Sequence, residues 1–450
     1  MKRDSYLITF LILTLRVASQ SYSLTTIAGN GNQGFSGDGD SAIHAEFNSC
    51  NFTVEDKNGN LYVSDNANNR IRKINPQGII STFAGNGQLG FSGDGGPAIN
   101  AQFNFIQSLV IDYNSNILYV EDRFNLRIRK IDIVTGIIST YAGNGNAGFV
   151  YENVPANSTS VNFIDAMTCD ASGNLYLAVG LDAKIFRINK SNQLITAFAG
   201  NGTFGYSGDG GSALQAQIQQ VESICMDNNG NMYLSHEGTV HYIRKINSSG
   251  IITTIAGTGV SGFSGDGGLA TLAALNVPRG LSIDYQGNLV FSDSFNYTVR
   301  KINLSTNIIN TIFTSPYYVV FEGNTQGTKF YSSENFYVKK LYTDVITTTV
   351  ITTGINENNG VKNSFTIYPS VSSGIFSIET EFTENFNLSI SDITGKKFIH
   401  EFCTASYNNN QMFKKQINLS SFNDGLYFVT IQLGNKNICK RLIKKSNENN

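Results

Sequence analysis

Hydrophobic and polar positions repeat along most of the chain with a long, nearly constant period. A phrase that first reads Thr26-Ile27-Ala28-Gly29-Asn30-Gly31 returns four times, at offsets of 56, 58, 57 and 57 residues. Its alanine recurs at Ala28, Ala84, Ala142, Ala199 and Ala256. A period of this length indicates supersecondary units that bury their apolar faces against one another.

Four short runs of β-branched and aromatic residues occur within a repeat. In the second repeat they are Leu109-Val110-Ile111-Asp112, Ile117-Leu118-Tyr119-Val120, Arg127-Ile128-Arg129-Lys130-Ile131 and Ile137-Ile138-Ser139-Thr140-Tyr141. Such runs, separated by polar breaks and glycine turns, predict a four-stranded antiparallel meander. One meander cannot cover both of its faces, so the units are expected to close into a ring.

The number of strand signals predicts the size of this ring. Signals for the second strand occur six times, and signals for the threonine-rich fourth strand occur seven times, from Ile27 to the region of Thr348. One spare fourth strand allows either the N-terminal or the C-terminal copy to complete the last unit. We therefore expect an all-β, six-bladed propeller.

Two phrases in the first repeat are similar to the NHL repeat family. They are Gly59-Asn60-Leu61-Tyr62-Val63-Ser64-Asp65 and Asn69-Arg70-Ile71-Arg72-Lys73-Ile74, and the resemblance extends over residues 24–351. It implies a six-bladed propeller of a kind that mostly serves binding. The aspartate of the pattern stands at Asp65, Asp122 and Asp293, whereas Val179, His236 and Glu334 replace it in the other repeats.

A glycine-rich loop of about 20 residues joins the fourth strand of one repeat to the first strand of the next. An acid occupies one position of this loop in five copies: Asp38, Asp94, Glu152, Asp209 and Asp266. Calcium binding is one interpretation, but Ca²⁺ takes six to eight oxygen ligands and each loop supplies one carboxylate. The favoured interpretation is that each acid accepts hydrogen bonds from its own loop and caps the short helical turn that follows, which the alanine spacing predicts.

Candidate catalytic and metal residues are few. The spacing between His236 and His241 differs by one residue from that of a zinc-protease motif. The two histidines also lie on predicted strands rather than on one helix face, so zinc is a weak alternative. No nucleophile elbow or phosphate-binding loop is present, and we predict no catalytic residue and no cofactor. A stripe of basic third-strand residues, including Arg72, Arg129, Arg244 and Arg300, is interpreted as a solvated blade surface, with a rim for anionic glycans as the alternative.

Composition excludes some partners. The chain has 32 basic and 34 acidic residues, so no overall positive field attracts nucleic acid. Its five cysteines are too few and too scattered for a disulfide framework, although a bridge between Cys403 and Cys439 is left open.

The first 19 residues have the pattern of a secretory signal peptide. Lys2 and Arg3 precede an apolar run from Tyr6 to Leu15, and small residues lead to Ser19. This run is about half the roughly 20 residues that a membrane-spanning helix needs, and no later stretch approaches that length. We therefore expect export without a transmembrane segment.

The last part of the chain departs from the repeat. A polar linker is predicted at residues 352–363, and alternating runs in residues 364–450 predict a small Ig-like β-sandwich. This region resembles the C-terminal sorting domain of the type IX secretion system, through phrases that contain Gly374, Gly395, Asp424, Gly425, Lys440 and Lys444. The resemblance implies recognition by the type IX machinery and a location outside a Gram-negative cell or on its outer surface.

Residues 20–351 would then be the exported cargo, after a signal peptide at 1–19. The leading interpretation is a secreted or cell-surface binding and scaffold propeller with an extracellular protein or glycan ligand. The alternative is an extracellular lyase or hydrolase that acts on peptides or glycans through the propeller channel, and a clustering of His236, Glu237 and His241 around one cavity would favour it. A structural component of the cell surface is a third possibility.

Overall fold

The chain forms two compact units in a computed structural model, with the division at Thr343 and Asp344. The structure describes residues 21–236, 240–315, 322–323, 330–334 and 336–344, and in the second unit 365–368, 371–372, 375–380, 385–392, 397–403, 413–418, 425–433 and 436–444. The predicted signal peptide and linker lie outside these ranges.

The first unit is a β-propeller, as the repeat predicts. Its described residues form six antiparallel sheets, which we number blades 1 to 6, and the strands of a blade are called inner, second, third and outer. In that order, blades 1 to 5 comprise Cys50–Glu55, Leu61–Asp65, Arg70–Ile74, Ile80–Ala84; Ile106–Asp112, Ile117–Asp122, Arg127–Asp132, Ile138–Ala142; Ile164–Cys169, Leu175–Val179, Lys184–Ile188, Leu194–Ala199; Val221–Met226, Met232–His236, Ile243–Ile246, Ile252–Ala256; and Pro278–Ile283, Leu289–Asp293, Thr298–Asn303, Ile308–Thr314.

Blade 6 joins the two ends of the repeat region. Its inner, second and third strands are Glu322–Gly323, Phe330–Glu334 and Tyr337–Asp344, and its outer strand is the N-terminal Ser21–Ala28. The inner strand of each blade contacts that of the next, and the inner strand of blade 6 contacts that of blade 1, which closes the ring. The C-terminal copy of the fourth strand, near Thr348, lies outside the described residues.

The apolar core lies between neighbouring blades. Between blades 1 and 2, for example, Tyr62 and Ala84 pack against Phe103 and Leu118, and all four are fully buried. The recurring alanine of the repeat is likewise fully buried in all five copies. The apolar faces of each blade are therefore buried only by packing against neighbouring blades, which is the physical basis of the period in the sequence.

The glycine-rich loops pack on the blades instead of extending into solvent. In the loop before blade 2, the alanine spacing corresponds to a single 3₁₀ turn, Ala98–Asn100, and the N–H of Gly85 donates to the Ala98 carbonyl at 2.9 Å. Equivalent turns are Ala42–His44, Ala213–Gln215 and Ala270–Leu272. Pro97 forms an isolated β-bridge with Ile137, so the loop covers the exposed edge of the blade that follows it. In blade 3 the loop adds a fifth strand, Val154–Pro155.

Four further 3₁₀ turns connect the second and third strands of blades 1, 2, 3 and 5: Asn66–Asn68, Arg123–Asn125, Gly180–Asp182 and Ser294–Asn296. Because strands alternate in direction, these turns lie at the same face as the starts of the inner strands and the glycine-rich loops. We call this the loop face.

The second unit is the β-sandwich that the sequence predicts. One sheet contains Phe365–Tyr368, Ile375–Thr380 and Phe413–Asn418, and the other, in spatial order, Val371–Ser372, Lys436–Lys444, Gly425–Leu433, Phe386–Asp392 and Lys397–Cys403. Buried apolar side chains come from both sheets: Ile378, Ile417, Leu388, Ile390, Val429 and Ile431. Cys403 is a buried free thiol, so the possible bridge to Cys439 is not formed.

Some residues of the sorting motif fall within these strands. Gly425 begins Gly425–Leu433, and Lys440 and Lys444 lie in Lys436–Lys444. Gly374, Gly395 and Asp424 lie outside the described residues.

Candidate ligand-binding site at the channel mouth

The acids of the glycine-rich loops pair with buried arginines. In blade 1, Arg72 is fully buried, and its guanidinium lies 2.7 Å from Oδ1 of Asp38 and 3.3 Å from Oδ2 of Asp65. Thr82 Oγ1 donates to the other oxygen of Asp38 at 2.6 Å. Burial alone would raise the pKa of Asp38, but the hydrogen bonds from Thr82 and Arg72 outweigh it and lower the pKa.

Other blades repeat or modify this arrangement. Blades 2 and 5 use the same three residues, as Asp94–Arg129–Asp122 and Asp266–Arg300–Asp293. In blade 3, Val179 and Phe186 replace the buried aspartate and arginine together, and Glu152 instead pairs with Lys184 at 2.7 Å. In blade 3 the buried charge and its partner are thus removed together, so that neither is left unpaired, whereas in blade 4 His236 replaces the aspartate and Arg244 keeps Asp209 as its partner.

These contacts correct two interpretations from the sequence. None of the 3₁₀ turns after the loop acids receives a side-chain cap, so the acids anchor arginines and do not cap the turns. The four arginines of the predicted solvated stripe, Arg72, Arg129, Arg244 and Arg300, are fully buried. Each of the five loop acids has a cationic partner, and no group of three or more His, Cys, Asp or Glu side chains in the described part of the chain is placed to hold a metal ion.

Each of the two candidate zinc ligands makes a hydrogen-bond contact through Nδ1 in or beside blade 4. His236 is 1% exposed, and its Nδ1 lies 3.2 Å from the Gln219 carbonyl oxygen, where the equivalent residue of blade 1 is Asp65. Burial, together with the nearby Arg244, lowers the pKa of His236 to about 4, so the imidazole is neutral at physiological pH. Nδ1 of His241 accepts the Val277 N–H at 3.2 Å. Neither histidine lines the cavity described next, and Glu237 lies outside the described residues.

A cavity of about 1130 Å³ occupies the centre of the ring. The inner strands of blades 1 to 5 line it, with apolar side chains such as Met167, Ile224 and Cys225 around its middle. At the loop face, the second residue of each of these inner strands lines the opening, which we call the channel mouth: Asn51, Gln107, Asp165, Glu222 and Arg279. The strand register shifts at or just after this position in all five blades, and such bulges commonly redirect a side chain beside a functional site.

The opposite end of the channel has a different composition. Each inner strand there leads into a turn with the same acid, at Asp56, Asp112, Asp170, Asp227 and Asp284. In blade 3, Oδ1 of Asp170 accepts the N–H groups of Ser172 and Asn174, both at 2.9 Å, and Oδ2 accepts the Asn174 amide at 2.7 Å. These aspartates build the turns. One end of the channel is therefore repeated scaffold, whereas the mouth varies from blade to blade.

An ion pair and an arginine hydrogen bond join neighbouring blades around the mouth. Nε of Arg279 in blade 5 lies 3.0 Å from Oε2 of Glu222 in blade 4. In blade 2, Nη1 of Arg123 lies 3.3 Å from Oε1 of Glu121 and also donates to the Ile164 carbonyl of blade 3 at 3.2 Å. The charged groups at the mouth are thereby held in place by the inner strands and the neighbouring turns.

Glu121 is a buried carboxyl group directly behind the mouth. It is 1% exposed, and it stands where the other blades have a small residue: Ser64, Ala178, Ser235 and Ser292. Burial raises the pKa of Glu121 to about 8, although Arg123 and the Ile164 N–H partly oppose this shift. Its Oε2 has no hydrogen-bond partner among the described residues.

The mouth residues do not belong to any motif that the sequence singled out. Their common feature is visible only after the five inner strands are aligned, because each blade then shows a different polar residue at one position. The repeated loop acids and third-strand arginines, which are the conspicuous residues of the sequence, belong to the scaffold. Variation within an otherwise regular repeat is the sequence signal that could have located this site.

The C-terminal region, residues 366–445, matches the secretion system C-terminal sorting domain. The chain carries this domain, which marks it as a type IX-exported protein that is secreted or displayed on the cell surface. In the described part of the chain, no helix is sufficiently long and apolar to cross a membrane.

Curated relatives confirm the likeness to NHL repeats. The chain is 25% identical over 319 residues to Protein SUPPRESSOR OF QUENCHING 1, chloroplastic, of Arabidopsis thaliana, a match that covers 56% of this chain and 30% of that protein. It is 24% identical over 308 residues to Teneurin-4 of Homo sapiens, covering 60% of this chain and 11% of the relative. The chain thus spans less than a third of the length of either relative.

A solved structure supports the fold. An auxiliary nutrient binding protein from Bacteroides ovatus superposes with a TM-score of 0.50 at 13% identity, over 72% of this chain and 77% of that chain. At this level of identity the likeness concerns the fold alone.

Proposed function

We propose that this protein is an extracellular binding protein that takes one ligand at the channel mouth. The observation that supports it most strongly is the set of five different polar side chains at one equivalent position, around a cavity of about 1130 Å³. A ring of identical side chains would present the same chemistry in every direction. A ring of amide, carboxylate and guanidinium groups instead presents a different partner from each blade, which suits a single asymmetric ligand.

The proposal includes the route by which the protein reaches its ligand. Residues 1–19 act as the signal peptide, residues 20–351 are the cargo, residues 352–363 link it to the sorting domain, and residues 364–450 engage the type IX machinery. Within that domain, the motif residues Gly374, Gly395, Asp424, Gly425, Lys440 and Lys444 carry the recognition. The binding surface is then presented outside the cell, where soluble or surface ligands reach the loop face.

A screen of two defined libraries for binders tests binding at the mouth. The protein without its signal peptide is applied to an oligosaccharide array and to a phage library of random dodecapeptides. We expect a retained binder whose affinity falls about tenfold, equivalent to about 1.4 kcal/mol, in the double variant Asp165→Asn/Glu222→Gln.

The matched control is Asp132→Asn, in a turn between third and outer strands where other blades already have asparagine, as at Asn75 and Asn247. This variant should bind like the wild type. The absence of a binder from both libraries would contradict the proposal. Equal effects of the mouth variant and the control variant on binding would contradict it as well.

A further inference from the structure

Three neighbouring phenylalanine rings form an apolar cluster at one side of the channel mouth, with interplanar angles of 49° and 85° between successive rings. The ring centroid of Phe124 lies 5.0 Å from that of Phe105 and 5.9 Å from that of Phe163. Phe124 is 53% exposed and Phe163 is 39% exposed. We call these three residues the aromatic shelf. It adjoins the mouth because Phe105 and Phe163 come two residues before Gln107 and Asp165, which line the opening.

The shelf is rigidly mounted. Phe105 has φ of 69°, a left-handed conformation that aromatic residues rarely adopt. Its carbonyl accepts the Arg123 N–H at 3.0 Å, and the Asn104 carbonyl accepts the Phe124 N–H at 3.0 Å. The Arg123 guanidinium also stacks 4.7 Å from the Phe163 ring centroid. An apolar surface that is fixed before binding costs little ordering entropy when a ligand lies on it.

The polar groups beside the shelf supply every kind of hydrogen-bond partner. Asp165 and Glu222 only accept as carboxylates, Arg279 only donates, and the amides of Asn51 and Gln107 do both. A row of hydroxyl groups, each of which is donor and acceptor, matches such a mixture. A ligand with one charge or one type of polar group would leave part of the ring without a partner.

Charge pairing argues against an ionic ligand. Glu222 pairs with Arg279, and because the raised pKa of Glu121 keeps that carboxyl protonated at neutral pH, the other two charges around the mouth are the Arg123 guanidinium and the Asp165 carboxylate. Their charges largely cancel at a distance, so the mouth exerts little attraction on either an anion or a cation.

We propose that the channel mouth binds a neutral oligosaccharide, with an apolar sugar face on the aromatic shelf and its hydroxyl groups on Gln107, Asp165 and the neighbouring mouth residues. This inference rests on the proposed function and specifies its ligand class. Aromatic side chains combine an apolar face with defined geometry, which suits the flat underside of a pyranose ring. The cavity beneath accommodates a chain end that enters from the shelf.

Isothermal titration calorimetry with defined sugars tests the inference. The protein without its signal peptide is titrated with neutral hexasaccharides (cello-, laminari-, xylo-, malto-, manno- and chitohexaose), with the anionic hexamer of galacturonic acid, and with a basic hexapeptide of alternating Leu and Arg. At least one neutral hexasaccharide should bind with a Kd below about 1 mM. Phe124→Ala should weaken that binding about tenfold.

Phe295 provides the matched control. It occupies the equivalent turn position in blade 5 with 54% exposure, but the residue at the Phe105 position there is Val277. Phe295→Ala should change the Kd less than about twofold, and circular dichroism melting curves verify that both variants are folded.

The outcomes separate this inference from the function on which it rests. If only the anionic hexamer or the basic peptide binds, and Asp165→Asn/Glu222→Gln weakens that binding, the ligand class is wrong and binding at the mouth stands. Failure of every neutral hexasaccharide at about 5 mM overturns the inference. Equal effects of Phe124→Ala and Phe295→Ala overturn it as well.

Discussion

Arg72 and Asp38 are 34 residues apart in the sequence, yet their side chains meet at 2.7 Å, and the arginine is completely buried. This contact fastens the glycine-rich loop to the third strand of the blade that follows it. Because Asp65 approaches the same guanidinium, the charge is balanced on both sides. The loop therefore behaves as part of the blade, and its repeated residues serve the scaffold.

Removal of one buried arginine should destabilise the propeller strongly. Arg129 is fully buried between Asp122 and Asp94, so Arg129→Ala leaves an uncompensated buried carboxylate. We expect the free energy of unfolding to fall by about 3–5 kcal/mol. Chemical denaturation followed by far-UV circular dichroism measures the effect, with the adjacent half-buried Lys130→Ala as a control that should change it by about 0.5 kcal/mol or less.

Blade 3 suggests how this loss can be reduced. The double variant Asp122→Val/Arg129→Phe installs in blade 2 the apolar pair that Val179 and Phe186 provide in blade 3. It should cost less than Arg129→Ala alone, since no buried charge is left without its partner. A double variant that is less stable than the single one would show that the pairing does not explain the pattern.

Two glycines of one loop should respond differently to alanine. Gly93 has φ of 93°, and a Cβ there would lie 2.8 Å from the Cα of Ala101, whereas Gly95 has φ of 81° with nothing within 4 Å of its Cβ position. Gly95→Ala should cost about 1 kcal/mol from backbone strain alone. Gly93→Ala should cost clearly more, because the backbone of the 3₁₀ turn must also move. Equal melting temperatures for the two variants would refute the close packing of the loop.

Glu121 should make the protein less stable as the pH rises. Burial raises the pKa of this carboxyl from its ordinary value of 4.5 to about 8. Between these values the folded state holds a proton that the unfolded chain has lost, so the free energy of unfolding decreases as pH increases through this interval. Glu121→Gln mimics the protonated form. Its advantage over the wild type in melting temperature should be larger at about pH 9 than at about pH 5; an advantage independent of pH would contradict the assignment.

His236 should produce the opposite dependence in acid. Burial and Arg244 lower the pKa of His236 from 6.5 to about 4, so within this interval the unfolded chain binds a proton that the folded state does not. Stability therefore falls as the pH falls from about 6.5 to about 4. His236→Gln should reduce this loss in a series of melting curves, whereas His44→Gln, at an exposed side chain, should leave it as in the wild type.

The propeller and its strands could be predicted from the sequence because they depend on local periodicity, whereas the sorting domain was predicted from its resemblance to a known domain. Ala84 and Leu118, for example, recur at fixed intervals since every blade must bury the same face. The role of Asp38 was predicted wrongly because its partner, Arg72, is on a distant strand and a loop acid is normally interpreted from its neighbours in sequence. The arginine stripe was assigned to solvent for the same reason, since charge alone does not reveal a paired acid.

The residues of the channel mouth could not be predicted from the sequence for a different reason. Asn51, Gln107, Asp165, Glu222 and Arg279 share no motif, and the cavity that makes them neighbours exists only after the ring has closed. Aromatic residues such as Phe124 and Phe163 are also common in cores, so their exposure beside this opening requires the structure.

A crystal structure of the protein with the ligand selected from the oligosaccharide array tests the central claim most directly. The account predicts ligand density at the channel mouth, in contact with Asp165 and within stacking distance of Phe124. Density confined to the opposite end of the channel, at the Asp170 and Asp227 turns, or on the outer edges of the blades would contradict it.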